Sequence, residues 1–477
     1  MSSISAFRNR DFTLEGLKEV ATEVTRLYQE NEYMLARAYV PKQKIIDGVV
    51  TISVIEGELG SVDVSKGKYY LGSYIESWFN PLKGKAVEEG DLKRAILLLN
   101  DTPSLNVETI LKKGKKPGTA DLTTVAKDNY PIKLDLQYDN HGNTLVSRSR
   151  YRVDLSITDP KFGSTISLLG IMGDSFPDNL YVGLDYQIPI THHGTRLGGR
   201  YINADYIVGK EFKALDVEGN SEIYGGYIMH PFIRSRDKNL KTTLGFDSKH
   251  MEEFILNEPK SNDVLSVIYL RMEYDSLDRF LGKTYMSINY SQGLNSVLHS
   301  IGRKDLEASR FGASGKFGKI NIDFARVQQL WRGITLYLKA SGQFSFSKLV
   351  TPEQFSIGGA STVRGYELSK FLGDSGYTSS AEISSPIPFT KNINIKDKKF
   401  SDMFRVALFG DFGKVFRRGF PVAGQKHTDS LNSFGVGARL YLFDRLNVKC
   451  DVAYPQHDIP DEGHKPTVYI QANFKVF

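Results

Sequence analysis

The sequence predicts a mainly β protein in which an antiparallel transmembrane β-barrel of about sixteen strands follows small α/β modules. Two observations carry this prediction. From Pro131 onward, apolar and polar residues alternate with period two, as they do in strands that have one apolar face. No stretch approaches the roughly 18 uninterrupted apolar residues that a spanning helix requires. Any contact with a membrane must therefore be made by strands or by a surface face.

The length, charge and cysteine content of the chain exclude several classes of protein. At 477 residues, the chain is too long for one ordinary compact domain unless one unit is a large barrel. The net charge of +6 is mild, and Lys and Arg are scattered among Asp and Glu, which argues against a nucleic-acid partner. Cys450 is the single cysteine and excludes an internal disulfide or a Cys-rich zinc site. We find no coherent catalytic set, and we expect no enzymatic activity, metal or cofactor.

Two short α/β segments precede the alternating region. In the first, residues 14–28 have the apolar spacing of an amphipathic helix, and residues 34–40 and 49–55 have strand patterns. The second segment has the order strand, helix, helix, strand, strand. Its elements are predicted at residues 59–64, 70–79, 92–100, 105–111 and 119–126. The last three elements of that order also fit the first segment, so we expect two copies of one module, at residues 1–57 and 58–129, the first incomplete.

The third segment, residues 130–477, is the predicted barrel. Alternation alone fits a soluble sandwich equally well, so the lengths of the links between strands decide. Short and long links alternate, as short periplasmic turns and long outer loops do in outer-membrane barrels. The short links are predicted at residues 158–161, 190–195, 235–238 and 328–333, and the long ones at residues 207–220, 249–263, 346–376 and 414–429.

The long inserted loop at residues 346–376 contains the most specific segment of the chain. Its tetrad Val363, Arg364, Gly365 and Tyr366 precedes the predicted twelfth strand. A loop that folds into a wet lumen needs an anchor, and the planar guanidinium of an arginine can bind a carboxylate through two hydrogen bonds. Arg364 is therefore the candidate anchor of this loop.

Two carboxylates are candidate partners for this arginine. On the predicted thirteenth strand, alternation sends Phe409 and Asp411 to the lumen and their apolar neighbours to lipid. Glu382, on the neighbouring strand, is a further lumen carboxylate by the same argument. We predict an ion pair between Arg364 and Asp411. On the residues alone, the alternative stays open that both acids are ordinary charges of a wide polar barrel.

The tetrad at residues 363–366, together with Phe409, Gly410 and Asp411 on the inner wall, resembles the two hallmark motifs of the outer-membrane insertase and transporter superfamily. Within it, the chain resembles the two-partner secretion transporters, called TpsB or ShlB/FhaC/HecB-type haemolysin secretion/activation proteins. Residues 35–41, 47–50 and 54–57 are similar to the end of that family's first POTRA domain, the small α/β module of these transporters.

This resemblance implies a monomeric barrel in the outer membrane of a Gram-negative bacterium, surrounded by lipid, with its POTRA modules in the periplasm. It implies that the modules capture the N-terminal secretion domain of a TpsA-like exoprotein, which then crosses the barrel unfolded and without ATP. Arg364 would pair with Asp411 and hold the loop in the pore. Two alternatives stay open, an assembly factor that inserts outer-membrane proteins and a passive porin-like channel.

The N-terminus departs from the family's pattern. Residues 1–10 lack the apolar segment of a secretory signal, and no N-terminal helix able to plug the pore is evident. The first POTRA module lacks its opening strand and helix. We therefore expect a first module that is truncated at its N-terminus.

Overall fold

The computed structural model describes residues 7, 11–65, 67–174, 177, 179–295, 297–302, 305–387, 394–395, 398–419, 426–442, 445–457 and 465–477. The chain divides into two compact units. One comprises Met1–Pro131 with the segments Thr158–Gly163 and Pro189–Gly194, and the other comprises the remainder. Apart from Phe7, the residues on which the absent signal was predicted lie outside the described part.

The first unit begins with one helix and a two-stranded sheet. Helix α1 (Leu14–Glu30) starts where the side chain of Thr13 accepts a hydrogen bond from the backbone N–H of Gly16, because the first turn of a helix has free N–H groups that a capping oxygen satisfies. Strands β1 (Arg37–Tyr39) and β2 (Ser53–Ile55) pair antiparallel.

The second α/β segment follows at once and has its own core. Its elements are β3 (Glu58–Ser65), α2 (Gly72–Ser77), a 3₁₀ helix (Asn80–Leu82), α3 (Glu89–Asn100), β4 (Leu105–Lys113) and β5 (Thr119–Asp128). The sheet has the order β3-β5-β4, with β3 parallel and β4 antiparallel to β5. Ile75, Phe79, Leu99 and Leu122 are fully buried against it. The helix expected over residues 70–79 is shorter, and a separate 3₁₀ helix that contains Pro81 follows it.

The second unit is a closed barrel. Its elements are β6 (Ile132–Asp139), β7 (Arg150–Thr158), β8 (Thr165–Met172), β9 (Leu180–Pro189), β10 (Arg196–Ile207), β11 (Val217–Arg234), β12 (Lys238–Ile255), β13 (Glu258–Leu277), β14 (Gly282–Leu294), β15 (Gly318–Gln329), β16 (Thr335–Ser345), β17 (Phe355–Ile357), β18 (Phe371–Gly373), β19 (Ser375–Pro386), β20 (Asn394–Ile395), β21 (Lys398–Lys399), α4 (Phe400–Met403), β22 (Phe404–Phe416), β23 (Thr428–Leu442), β24 (Leu446–Pro455) and β25 (Thr467–Lys475), with 3₁₀ helices at Lys210–Leu215, Trp331–Gly333 and Thr351–Glu353.

Within the described ranges, sixteen strands form this barrel: β6–β16, β19 and β22–β25. Each strand neighbours the next one along the chain, and β25 closes the ring by pairing antiparallel with β6. The predicted fold class is thereby confirmed. None of the helices in the described ranges is long and apolar enough to cross a membrane.

Side chains alternate between the two faces of the barrel wall. On β22, Val406 and Leu408 are exposed on the outer face, while Ala407, Phe409 and Asp411 are buried on the inner one. The outer face is apolar, as is typical of the lipid-facing side of a membrane barrel, and the inner face carries the charges. This alternation positions the acidic side chains of the candidate site.

One predicted long link is wrong. Residues 249–263 form the end of a hairpin in which β12 runs to Ile255 and β13 starts at Glu258. The two turn residues, Leu256 and Asn257, have φ angles of 53° and 62°, as a tight two-residue hairpin turn requires. Both faces of this extension are rich in polar residues, so it lacks the alternation that identifies a strand. The link at residues 207–220 is also shorter than predicted, since β11 starts at Val217, and the link at 414–429 lies partly outside the described residues.

Candidate functional site

The inserted loop, residues 346–374 between β16 and β19, folds into a ribbon with a compact tip. Strands β17 and β18 pair antiparallel, which leaves residues 358–370 as the tip. There the hydroxyl of Thr362 accepts a hydrogen bond from the N–H of Gly358 at 2.9 Å and donates to the carbonyl of the same glycine at 2.8 Å. This closed turn leads directly into residues 363–366.

Arg364 binds Asp411 through a two-pronged ion pair. Nε lies 2.7 Å from Oδ2 and Nη2 lies 2.8 Å from Oδ1, and the backbone N–H of Arg364 also donates to Oδ2 at 3.1 Å. The two residues are only 5% and 4% exposed. The guanidinium carbon lies 3.3 Å from the centre of the Phe409 ring, so a cation–π contact adds to the pair.

The remaining donors of Arg364 reach three further wall residues. Nη1 donates to Glu382 Oε2 at 3.2 Å and to Asp451 Oδ2 at 3.0 Å, and Nη2 donates to Ser380 Oγ at 3.2 Å. All five N–H groups of the guanidinium thus have an acceptor. Glu382 joins the site as its position on the strand predicted, whereas Asp451 and Ser380 were not expected.

A second arginine faces the first across two shared carboxylates. Arg439 donates from Nη2 to Glu382 Oε1 at 2.8 Å and from Nη1 to Asp451 Oδ1 at 2.5 Å. Lys449 Nζ lies 3.2 Å from Asp451 Oδ2. We call these six side chains the ion network. It consists of Arg364, Glu382, Asp411, Arg439, Lys449 and Asp451, and its three cations and three carboxylates balance.

Four neighbouring strands supply the wall side of the ion network. The register pairs Glu382 of β19 with Phe409 of β22, and Arg439 of β23 with Lys449 of β24. A side chain at Gly437 would place a Cβ 2.3 Å from Asp451 Oδ1. Glycine at this position therefore leaves the room in which Arg439 and Asp451 meet.

The other tetrad residues fasten the tip to the wall. Val363 is fully buried in an apolar cluster that includes Val415 and Leu431. Gly365 has a φ of 95°, a conformation that favours glycine. The hydroxyl of Tyr366 donates to the carbonyl of Asn432 at 2.9 Å.

Gly410 differs from its two companions in the inner-wall motif. It is exposed on β22, on the face of Leu408, while Phe409 and Asp411 face inward. Because successive residues of a strand point to opposite faces, three consecutive residues cannot all line the lumen. The inner-wall assignment of Gly410 is therefore corrected.

The site has the chemistry of an anchor. Arg364 belongs to the loop, whereas its acceptors belong to the barrel wall, so the ion network joins two parts of the chain that are distant in sequence. Across the described ranges, no group of three or more His, Cys, Asp or Glu side chains is arranged to hold a metal ion. Arginine cations fill the space between the clustered carboxylates.

Comparison with family models gives two matches. Residues 118–440, more than half of the chain, match the family described as haemolysin secretion/activation protein ShlB/FhaC/HecB. Residues 2–57 match the ShlB-type POTRA domain. The two matches cover the first module, the end of the second module and most of the barrel.

Known proteins with similar sequences include some that are named transporters, and a solved structure of one of these transporters, CdiB, has a similar fold. The heme/hemopexin transporter protein HuxB of Haemophilus influenzae is 24% identical over 459 residues, which cover 94% of this chain and 78% of HuxB. The outer membrane transporter CdiB of Escherichia coli O6:K15:H31 is 22% identical over 412 residues, covering 78% of this chain and 64% of that protein. The solved structure of CdiB from Escherichia coli has a TM-score of 0.79 at 16% identity, covering 99% of this chain and 86% of that chain. This last likeness shows the fold.

Proposed function

The chain belongs to the haemolysin secretion/activation protein family, and from this premise we propose that it recognises one partner exoprotein through its POTRA modules and passes it unfolded through the barrel, without ATP. As a two-partner secretion transporter it acts at the outer membrane. The proposed partner is a TpsA-like exoprotein with an N-terminal secretion domain. The barrel works as a monomer in outer-membrane lipid, with its modules in the periplasm, and uses no cofactor, nucleic acid or catalytic step.

The observation that carries the proposal is the attachment of the inserted loop to the inner wall. A loop tip with a fully buried Val363 and a nearly buried Arg364 lies against inward-facing side chains of the barrel. This attachment supports a pore whose inner space is controlled by the loop. The named relatives add support, since HuxB and CdiB are both called transporters.

We assign residues 1–57 and 58–129 to the two POTRA modules and residues 130–477 to the barrel. In the second module, β4 is an edge strand of the sheet, and its residues Asn106, Glu108 and Lys112 are exposed. An extended cargo segment can add to such an edge through main-chain hydrogen bonds, which tolerate varied cargo sequences. This edge is the proposed docking site for the secretion domain.

Crosslinking tests cargo capture. A photoreactive amino acid at Glu108 of β4, in the full-length protein expressed in its own host, is expected to recover one large exported protein. The matched control places the same group at Lys93, an exposed residue of α3 in the same module. Recovery of many different barrel proteins would favour the assembly-factor alternative, and recovery of no partner from β4 would favour the passive channel.

Secretion tests the anchor. Arg364→Ala is expected to lower the amount of exported partner while the barrel still inserts into the outer membrane, as judged by its heat-dependent mobility in a gel. Lys316→Ala, which removes an exposed cation from another loop, is the control and should secrete normally. Normal secretion by Arg364→Ala would reject the proposed role of the anchor.

A further inference from the structure

Arg439 shares its carboxylates with the loop arginine and yet belongs to the wall. We propose that Arg439 is a positioning residue that sets how firmly the inserted loop is held, an inference that rests on the proposed transport function. Arg439 is on β23, so it stays in place whatever the loop does, whereas Arg364 moves with the loop tip. The two arginines thus share two acceptors, Glu382 and Asp451, but only Arg364 can move with the loop.

The sharing of acceptors is symmetric. Glu382 gives Oε2 to Arg364 and Oε1 to Arg439, at 3.2 and 2.8 Å. Asp451 gives Oδ2 to Arg364 and Oδ1 to Arg439, at 3.0 and 2.5 Å. Arg439 therefore orients both carboxylates toward Arg364 and also neutralises part of the charge that attracts it.

Arg439 affects release of the loop because it compensates carboxylates that Arg364 leaves behind. When Arg364 leaves the wall, Glu382 and Asp451 keep Arg439 and Lys449, and only Asp411 loses its ion-pair partner. Without Arg439, the same departure leaves Glu382, Asp411 and Asp451 with Lys449 as their one ion-pair partner among the described residues, while Lys339, which is present in every variant, acts on Asp411. Because an uncompensated buried charge is strongly unfavourable, Arg439 makes withdrawal of the loop easier.

The proposal predicts that loss of Arg439 slows release of the loop, whereas a purely structural role predicts that release becomes faster. In Arg439→Gln, Arg364 faces one excess negative charge and is held more firmly. In the double variant Arg439→Gln with Asp451→Asn, two cations face Glu382 and Asp411, so the balance returns and the loop is released as in the native chain. If Arg439 only braced the wall, the single variant would loosen the loop, and the double variant, which loses more hydrogen bonds, would loosen it further.

Hydrogen–deuterium exchange of residues 358–370 in the full-length protein, embedded in lipid nanodiscs, measures release of the tip. We expect exchange about tenfold slower in Arg439→Gln than in the native chain, from the cost of the extra uncompensated charge. The double variant should return to within about threefold of the native rate, and Arg439→Lys, which keeps the charge, should stay near it. Faster exchange in Arg439→Gln, or no recovery in the double variant, would overturn the proposal.

Two controls show whether a change in exchange comes from the ion network or from a damaged barrel. Exchange in β10 and β11, which lie opposite β22–β24 in the strand order of the barrel, should be unchanged in every variant, which shows that the barrel is intact. If Arg439→Gln does not insert, the double variant compared with Asp451→Asn alone still tests the sign. Removal of Arg439 from the Asp451→Asn background should slow exchange by the charge argument, whereas the loss of a brace would speed it. The exchange measurement needs no cargo, so a failure to secrete any partner would count against the transport function and leave the role of Arg439 to be decided by exchange.

Discussion

Tyr469 fastens the backbone at Gly365 to the barrel wall. The hydroxyl oxygen of this β25 residue accepts a hydrogen bond from the N–H of Gly365 at 3.0 Å, and the hydroxyl donates to the carbonyl of Tyr366 at 3.1 Å. The bond uses no charge, so it anchors the tip independently of the ion network. The tip is therefore held by neutral hydrogen bonds, such as this one on β25, as well as by the ion network.

Tyr469→Phe is expected to loosen the tip while leaving every charge in place. It removes both hydrogen bonds from a buried site and leaves the N–H of Gly365 unpaired, a loss of about 1–3 kcal/mol. Amide exchange at residues 365 and 366 should rise accordingly. Tyr454→Phe, at an exposed position on the outer face, is the matched control, and equal exchange in the two variants would contradict the anchor.

Arg364→Lys tests geometry against charge. Lysine keeps one positive charge but has a single nitrogen, so it cannot serve Asp411, Glu382 and Asp451 together. We expect the variant to secrete markedly less than the native chain and more than Arg364→Ala, because part of the charge compensation remains. Secretion equal to the native level would show that the two-pronged geometry is dispensable and that charge alone anchors the loop.

A second fastening lies at the base of the inserted loop. Asp374 is fully buried and accepts hydrogen bonds from Arg310 Nη1 and from the N–H groups of Leu349 and Arg418, each at 2.7 Å. Arg310 belongs to the segment between β14 and β15 and Arg418 to the segment between β22 and β23, so the carboxylate joins both of these links to the inserted loop. The base and the tip of the inserted loop thus have different partners.

Asp374→Asn is expected to free the base of the loop and leave the tip bound. It removes the charge that compensates Arg310, and breaking such a buried pair costs about 3–5 kcal/mol. Exchange should rise at residues 347–356 and remain low at residues 363–366. Asp323→Asn, at an exposed lumen position on β15, is the control. Simultaneous release of base and tip would show that the two fastenings act as one.

The sequence predicted the part of the site that depends on local periodicity. Alternation along one strand was enough to turn Phe409 and Asp411 inward, and the loop arginine followed from residue chemistry. Arg439 and Asp451 were missed because their meeting depends on the register between β23 and β24, which alternation within one strand does not determine. Alternation along each strand predicts that both side chains point inward, but it does not predict which residues they contact.

The sequence also failed to predict the polar ends of the longest strands. The hairpin of β12 and β13 continues beyond the region where one face must be apolar, so its residues lose the signal that identifies a strand. The barrel fold itself was robust to this error because strand number and closure depend on the segments that face lipid.

Asp128 gives the second α/β module a pH-dependent contribution to its stability. Its carboxylate accepts hydrogen bonds from the N–H groups of Lys68, Tyr69 and Tyr70 at 2.8, 2.7 and 2.8 Å. Burial raises the pKa of Asp128, but the three N–H donors outweigh it and hold the pKa below its ordinary value. A carboxylate with a lowered pKa stabilises the fold above the unfolded pKa of about 3.9, and this contribution is lost as the pH falls through the lower, folded value.

Tryptophan fluorescence can measure this effect directly. The chain has 2 Trp residues, and only Trp78 is buried, in the core of the module, so Trp331→Phe leaves a single reporter. In that background, urea unfolding of the full-length protein should show Asp128→Asn to be less stable by about 1 kcal/mol at pH 7, since the carboxylate is partly solvated. The deficit should shrink toward pH 3. Asp63→Asn, on exposed β3 surface, should show neither effect, and a deficit of Asp128→Asn that persists unchanged at acid pH would mean that shape, not charge, holds the three N–H groups.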